Sequence, residues 1–211
     1  MKKFIAVAGN IAVGKSSLTA KLSDFFCWEP FYEAVEDNPY LADFYKDMKT
    51  WSFHSQIFFL SRRLRHHRQI IERPGTVIQD RTVYEDAEVF AKNLHLQGYM
   101  DGRDYESYRE LYETVIEILP PPDLVIYLRA SVPTLKKRIS LRGRDFEQNI
   151  TTAYLEQLNA LYEEWIESFD LCPMLTVPAD DLDFVQSEAH LALIASKVLD
   201  KLHGKEEVVF D

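Results

Sequence analysis

Short, mostly apolar runs punctuate the chain at residues 3–8 (KFIAVA), 76–80 (TVIQD), 123–129 (DLVIYLR) and 174–177 (MLTV). They are too short for helices and read as buried strands. Three of them follow turn signals: Pro74-Gly75, Pro120-Pro121-Pro122 and Pro173. Between them, helical periodicity predicts helices over 15–26, 39–50, 51–73, 84–95, 104–118, 132–142, 151–168 and 184–203. Buried strands alternating with helices predict an α/β fold whose parallel sheet is covered on both faces. No repeat or low-complexity linker interrupts the pattern, and 211 residues suit one domain over 1–211. Near its end the chain frays into charge at Lys205, Glu206 and Glu207.

Composition narrows the class. The longest apolar runs fall far short of the ~20 residues that a membrane span needs. Met1-Lys2-Lys3 followed by Phe4 to Ala8 mimics a signal peptide, but Asn10 and Lys15 interrupt it, and a buried strand is the better reading. Cys27 and Cys172 lack CxxC-type spacing and read as reduced, buried residues of a cytoplasmic protein. A net charge of −10 argues against nucleic-acid polymers and anionic membranes as partners. It leaves room for an anionic small ligand at a locally basic site.

Such a site begins where the first strand ends. Residues 9–16 read GNIAVGKS, the pattern GxxxxGK[ST], between a predicted strand and a predicted helix. Gly9 and Gly14 let the backbone of Asn10, Ile11, Ala12 and Val13 turn its N–H groups onto phosphate, with Ser17 just inside the helix. Lys15 reaches the β/γ-phosphates, and the Ser16 hydroxyl can ligate Mg²⁺. No DxxG or NKxD stretch accompanies it, so a GTPase is not indicated. Asp80 and Arg81 follow the strand TVIQD, on the rim where ligands of parallel sheets bind; Asp80 can hold Mg²⁺, and Arg81 can reach a phosphoryl group. Arg138 and Arg142 share a helix face and Arg144 follows Gly143, an arrangement suited to a basic lid over about 142–150.

The helix WSFHSQIFFLSRRLRHHRQII carries a core stripe near Phe53, Phe59, Leu60 and Leu64. Gln56 and Arg63, seven residues apart, lie on that stripe and need partners if buried. Asp86 can pair with Arg63, the set suits a nucleobase edge, and Phe90 can stack on its face. His66 and His67 read as a solvated face.

The ordered set EAVEDNPY (33–40), Tyr45, WSFHSQ (51–56), DRTVYED (80–86) and LRGRDFE (141–147) resembles the deoxynucleoside kinase family, bacterial deoxyadenosine/deoxyguanosine kinase type. The resemblance implies a P-loop kinase fold with a five-stranded parallel sheet, helices on both faces, an Arg-rich lid and usually a homodimer. It implies transfer of the γ-phosphoryl of ATP to the 5′-hydroxyl of a deoxyribonucleoside, with Mg²⁺. By position, Glu33 stands beside the 5′-hydroxyl, and Tyr45 and Glu147 hold the 3′-hydroxyl. Gln56, Arg63 and Asp86 read the base, and Phe90 stacks on it. Arg81 positions the 5′ end, and Arg138, Arg142 and Arg144 close on the phosphates. PADDLDF (178–184) is similar to the loop that wraps adenine. Ala34 replaces the family's proline, while Glu29-Pro30 offers a second acidic register; VEDNPY favours Glu33. Glu33 and Asp80 both remain candidates for the proton acceptor, and Arg62 adjoins Arg63. Deoxyadenosine leads as acceptor, before deoxyguanosine and deoxycytidine. The rivals are a thymidylate-type monophosphate kinase and a non-catalytic nucleotide-binding module.

Overall fold

The computed structural model describes residues 2–33, 37–147 and 150–202. Ala34, the charged end at Lys205 to Glu207, and residues 148 and 149 of the expected lid lie outside the described residues.

The centre of the molecule is β1 (Phe4–Gly9), whose six residues are all buried. Around it lie β2 (Glu29–Phe31), β3 (Val77–Asp80), β4 (Leu124–Arg129) and β5 (Met174–Pro178), in the spatial order β2-β3-β1-β4-β5. Every neighbouring pair is parallel. Val7 pairs with Asp80 and Gly9 with Leu128, so the carboxyl ends of three strands meet at one edge. That edge is where a parallel sheet offers a ligand site.

Four of the five strands coincide with the apolar runs. The fifth, β2, does not, because it is a three-residue edge strand with only Phe31 buried. Pro30 is tolerated there since an edge strand leaves some N–H positions unpaired.

The helices are α1 (Lys15–Phe26), α2 (Leu41–Lys46), α3 (Met48–Glu72), α4 (Val83–Glu85), a π turn (Asp86–Ala91), α5 (Lys92–Leu96), α6 (Gly102–Ile116), α7 (Val132–Arg142), α8 (Thr152–Ser168) and α9 (Glu188–Leu202). A 3₁₀ turn covers Asp145–Glu147. The α2–α3 break falls at Asp47, earlier than the sequence pattern placed it. The Asp47 carboxylate caps α3 by accepting from the Thr50 N–H at 3.2 Å and the Thr50 hydroxyl at 2.6 Å. The expected helix 84–95 exists but widens into the π turn. Such bulges re-aim side chains and concentrate at functional sites. No helix among the described residues is long and apolar enough to cross a membrane.

Three expectations need correction. The buried face of α3 is Ser52, Ser55, Gln56, Leu60, Arg63, His67 and Ile70. Phe53, Phe59 and Leu64 are only half-buried. Small and polar residues dominate this face because it borders a cavity and a charged cluster rather than a dry core. His67 is therefore buried, edge-on to Phe4 at 5.3 Å, and His66 is half-buried beside Phe31. Cys27 is exposed, since it ends α1 in the left-handed conformation that turns the chain outward; Cys172 is partly buried, and both are free.

Candidate active site

A cavity of about 860 Å³ opens at the carboxyl edge of the sheet. One wall is the loop between β1 and α1, of which Ile11 to Ser17 line the cavity. Its tight path depends on Gly9 (φ +142°), where a Cβ would lie 2.6 Å from the Leu128 carbonyl oxygen. Gly9 and Asn10 do not reach the cavity; they brace the loop from behind. The Asn10 amide donates to Asn159 Oδ1 (2.7 Å) and the Leu155 carbonyl (3.2 Å) on α8, and its Oδ1 accepts the Ile11 N–H at 2.6 Å. Lys15 Nζ folds back onto the carbonyls of Gly9 (2.9 Å) and Asn10 (3.0 Å). Burial, helped by Arg81, lowers the Lys15 pKa to about 8 against the pull of Asp80, Glu33 and Glu85. An arriving polyphosphate offers this ammonium better partners than two carbonyls.

Arg138 lines the same wall. Its guanidinium donates to the carbonyls of Val13 (2.6 Å) and Ala179 (2.7 Å), tying the loop to the segment after β5. From that segment Asp180 to Gln186 line the cavity, within the stretch expected to wrap adenine. Arg142 binds both carboxylate oxygens of Glu147, and Arg144 Nη1 lies 3.4 Å from Glu147 Oε1. The lid arginines thus rest on Glu147, while Arg138 is a strut.

The Ser16 hydroxyl donates to Asp80 Oδ2 at 2.5 Å, and the buried Asp80 Oδ1 has no hydrogen-bond partner among the described residues. Burial raises the Asp80 pKa, and nearby Glu33 adds to the shift. One hydroxyl beside one carboxylate with an unused oxygen suits Mg²⁺, which keeps several waters and takes its other ligands from substrate phosphates. No group of three or more acidic, histidine or cysteine residues forms a metal cage among the described residues.

The opposite wall collects residues from far apart in the chain. Glu33 Oε1 accepts from Arg63 Nη2 at 2.6 Å and is ion-paired to Arg81 Nε at 2.7 Å. Arg63 also donates to Asp86 Oδ2 (3.0 Å) and to the Asp80 carbonyl (3.1 Å). Burial alone would raise the Glu33 pKa, but Arg81, Arg63 and Lys15 together pull it down to about 2. For Asp86 burial prevails over Arg63 and Arg81, and its pKa rises to about 6. Gln56 faces the cavity with its buried Oε1 unpartnered among the described residues. The Arg81 guanidinium lies over the Phe90 ring at 4.2 Å, so one face of that ring is already covered. Tyr45, Glu147, Glu33, Asp86 and Phe90 all line the cavity, whereas Arg63 stands behind Glu33 and Asp86. Burial, with Tyr154 and Glu147 nearby, pushes the Tyr45 hydroxyl well above its usual range.

Both open registers acquire a location. Glu29 sits on the edge strand, ion-paired to Arg73 at 2.9 Å, away from the cavity. Arg62 stacks over Phe58 at 5.1 Å, away from Asp86. The sequence reading missed Glu85, Tyr162 and Asn159, which brace the site without lining it. Only Glu85 carried a signal: Thr82-x-x-Glu85 is a capping box, formed in the structure.

The profile of the deoxynucleoside kinase family matches residues 5–203. A deoxyadenosine/deoxycytidine kinase of Bacillus subtilis (strain 168) is 37% identical over 205 residues, which cover 96% of this chain and 94% of that protein. A deoxyguanosine kinase of the same organism is 37% identical over 203 residues, 92% of this chain and 95% of that one. A solved M. mycoides deoxyadenosine kinase, with dCMP and dCDP bound, superposes with a TM-score of 0.84 at 36% identity and covers 93% of this chain and 99% of its own. A five-stranded parallel sheet, a phosphate loop facing a wall of paired carboxylates, and these matches across nearly the whole length place the chain in the deoxynucleoside kinase family, a family of phosphotransferases.

Proposed function

We propose that this kinase transfers the γ-phosphoryl of ATP to the 5′-hydroxyl of deoxyadenosine, with deoxyguanosine and deoxycytidine as lesser acceptors, in nucleotide salvage. One observation carries the acceptor class. At the acceptor wall, Glu33 is ion-paired to both Arg63 and Arg81, which leaves neither guanidinium for an acceptor phosphate beside it. An uncharged sugar suits such a wall; a nucleoside monophosphate does not. The base is argued from Asp86 and Gln56. An ionised Asp86 accepts from the exocyclic amine of adenine, and the Gln56 amide both donates and accepts. Thymine lacks that amine.

In this reading the Ile11–Ser17 wall and Lys15 seat the ATP phosphates, and Ser16 and Asp80 hold Mg²⁺. Bound Mg²⁺ would neutralise charge on the phosphate oxygens. Tyr45 and Glu147 orient the 3′-hydroxyl, and Phe90 packs against the base with its open face. Arg81 fixes Glu33 beside the 5′-hydroxyl. Glu33 stays ionised at any physiological pH and receives the proton as the 5′-oxygen bonds to the γ-phosphorus and the bond from that phosphorus to the bridging oxygen of ATP breaks, releasing ADP. Arg142 and Arg144 leave Glu147 for the phosphates as the site fills, and Arg138 holds the loop they close on. In-line placement and charge neutralisation supply most of the rate. The reading takes 1–211 as one kinase domain, acting as a homodimer in the cytoplasm.

The test is ATP and Mg²⁺ with each of the four deoxynucleosides and, separately, their monophosphates. Deoxyadenosine should show the highest kcat/KM. Turnover of monophosphates alone would sink the proposal.

A further inference from the structure

Glu85 is 0 % exposed and does not line the cavity, yet its carboxylate meets both walls. Oε1 accepts the Gly9 N–H at 2.9 Å and the Tyr162 hydroxyl at 2.8 Å. Oε2 accepts the Thr82 N–H at 2.7 Å and the Thr82 hydroxyl at 3.1 Å. Tyr162 is the bridge: its oxygen accepts from Arg81 Nη1 at 3.1 Å and lies 2.7 Å from the Gly9 carbonyl. Its single proton serves either that carbonyl or Glu85 at any moment. Arg81 Nη1 is 3.7 Å from Glu85 itself, and the Nε on the same guanidinium is ion-paired to Glu33.

A fully buried carboxylate is a costly way to fill space, and apolar residues of similar volume often do so at least as well. What Glu85 adds is directional. Gly9 begins the phosphate loop, and Arg81 ends the acceptor wall. Arg81 also holds a left-handed backbone (φ +68°), disfavoured for a residue with a Cβ, so its guanidinium needs external definition. Glu85 grips the loop directly at the Gly9 N–H and the guanidinium through Tyr162.

We propose that Glu85, acting through Tyr162, is a positioning residue that fixes Arg81 against the first turn of the phosphate loop, so that donor phosphates and acceptor 5′-hydroxyl are held in one register. The proposal rests on the reading of Arg81 and Glu33 given above. It separates from a merely structural role because misalignment lowers kcat while both substrates still bind.

The test compares Glu85→Gln and Tyr162→Phe with wild type in kcat, in KM for ATP and deoxyadenosine, and in thermal melting. Glu85→Gln should lower kcat roughly 10- to 100-fold, the scale of a sub-ångström to 1 Å misplacement, with both KM values within about threefold. Tyr162→Phe keeps the Glu85 bonds to Gly9 and Thr82, and should lower kcat roughly three- to tenfold. Wild-type kcat in folded Glu85→Gln or folded Tyr162→Phe overturns the proposal. So does a loss that tracks the melted fraction, or one seen only in KM. If Glu85→Gln does not fold, Tyr162→Phe decides alone. Wild-type kcat in Arg81→Lys would instead strike at the reading of Arg81, a failure distinguishable from this one.

Discussion

The wall that the proposed reading gives to ATP, the donor wall, comes mainly from one run of chain, Ile11 to Ser17, with Arg138 beside it and Gly9, Asn10 and α8 bracing it from behind. The acceptor wall comes from the chain after β2, from α2 and α3, from the end of β3, from the π turn and from the 3₁₀ turn before α8. In the proposed reading the donor wall works largely through backbone N–H groups and one lysine, which suit phosphate and little else. In the same reading the acceptor wall works through carboxylates neutralised by arginines, which suit the shape and hydrogen-bonding edge of a neutral molecule. On that reading the first wall holds the nucleotide and the second selects what receives the phosphoryl group. Changes on the acceptor wall should therefore alter chemistry and choice of base while leaving ATP binding nearly intact.

The largest break in that comparison is expected from Glu33→Gln. It should lower kcat by roughly 10²-fold or more, the scale of losing a general base, with a smaller change in nucleoside KM and almost none in KM for ATP. Glu29→Gln is the matched control, because Glu29 pairs with Arg73 on the edge strand. Collapse in Glu29→Gln with normal kcat in Glu33→Gln would reverse the assignment.

A smaller effect, confined to the acceptor, is expected from Arg63→Ala combined with Asp86→Ala. Both partners are about 4% exposed at the side chain. Removing Arg63 leaves Asp86 buried without its hydrogen-bonded partner, which costs about 3–5 kcal/mol; removing Asp86 costs less, because Arg63 keeps its pair with Glu33; and removing both costs less than the sum of the singles. The double variant should fold, lose roughly tenfold or more in kcat/KM for deoxyadenosine, and gain relative activity on thymidine. Melting curves for the singles and the double, with kcat/KM on all four deoxynucleosides, check both halves. An unchanged preference order in a folded double variant would reduce the pair to architecture.

The same contrast governs what could be read from the sequence. The donor wall is local, so GNIAVGKS between an apolar strand and a helix marks its position and suggests phosphate as its ligand. β1, β3 and β4 are legible because they are buried along nearly their whole length and therefore mainly apolar, with polar residues only toward the carboxyl ends at Gln79, Asp80 and Arg129. β2 is not, since an edge strand of Glu29, Pro30 and Phe31 has no pattern to display. On α3, an apolar-stripe rule favours Phe53, Phe59 and Leu64, but the buried face is the polar one that carries Gln56, Arg63 and His67. Arg63 and Asp86 could be paired by the cost of burying either alone, an argument that works without knowing the fold. Its third bond, to Glu33, required the fold, because nothing in the sequence spacing brings residues 33 and 63 together. Tyr162 and Asn159 look like ordinary positions of an amphipathic helix, and only three-dimensional proximity to Gly9 and Asn10 gives them a part in the site.

The finest distinction between the walls is in pH. Asp86 has its pKa raised by burial from 3.8 to about 6, so in the free enzyme it is ionised at pH 7 and mostly protonated at pH 5. In the proposed reading the ionised form accepts from the exocyclic amine of adenine, and binding selects that form. Nucleoside KM should then be level above about pH 7 and rise as pH falls through 6, reaching roughly tenfold at pH 5. A fall in fold stability does not account for that rise at this residue. A carboxylate with a raised folded pKa binds its proton more tightly in the native state, so its contribution to stability falls as pH increases from about 4 to about 6 and is fuller on the acid side. Glu33 has the opposite sign: its pKa is lowered from 4.5 to about 2, and its contribution is complete above the unfolded value and lost only as pH falls toward 2. Between pH 5 and 7 Glu33 therefore stays ionised, and kcat at saturating nucleoside should change less than KM. Asp86→Asn removes the titrating group, so its nucleoside KM should be raised at pH 7 but level across the window. A KM that still rises below pH 6 in folded Asp86→Asn would assign the acid limb to another group and detach base recognition from this carboxylate.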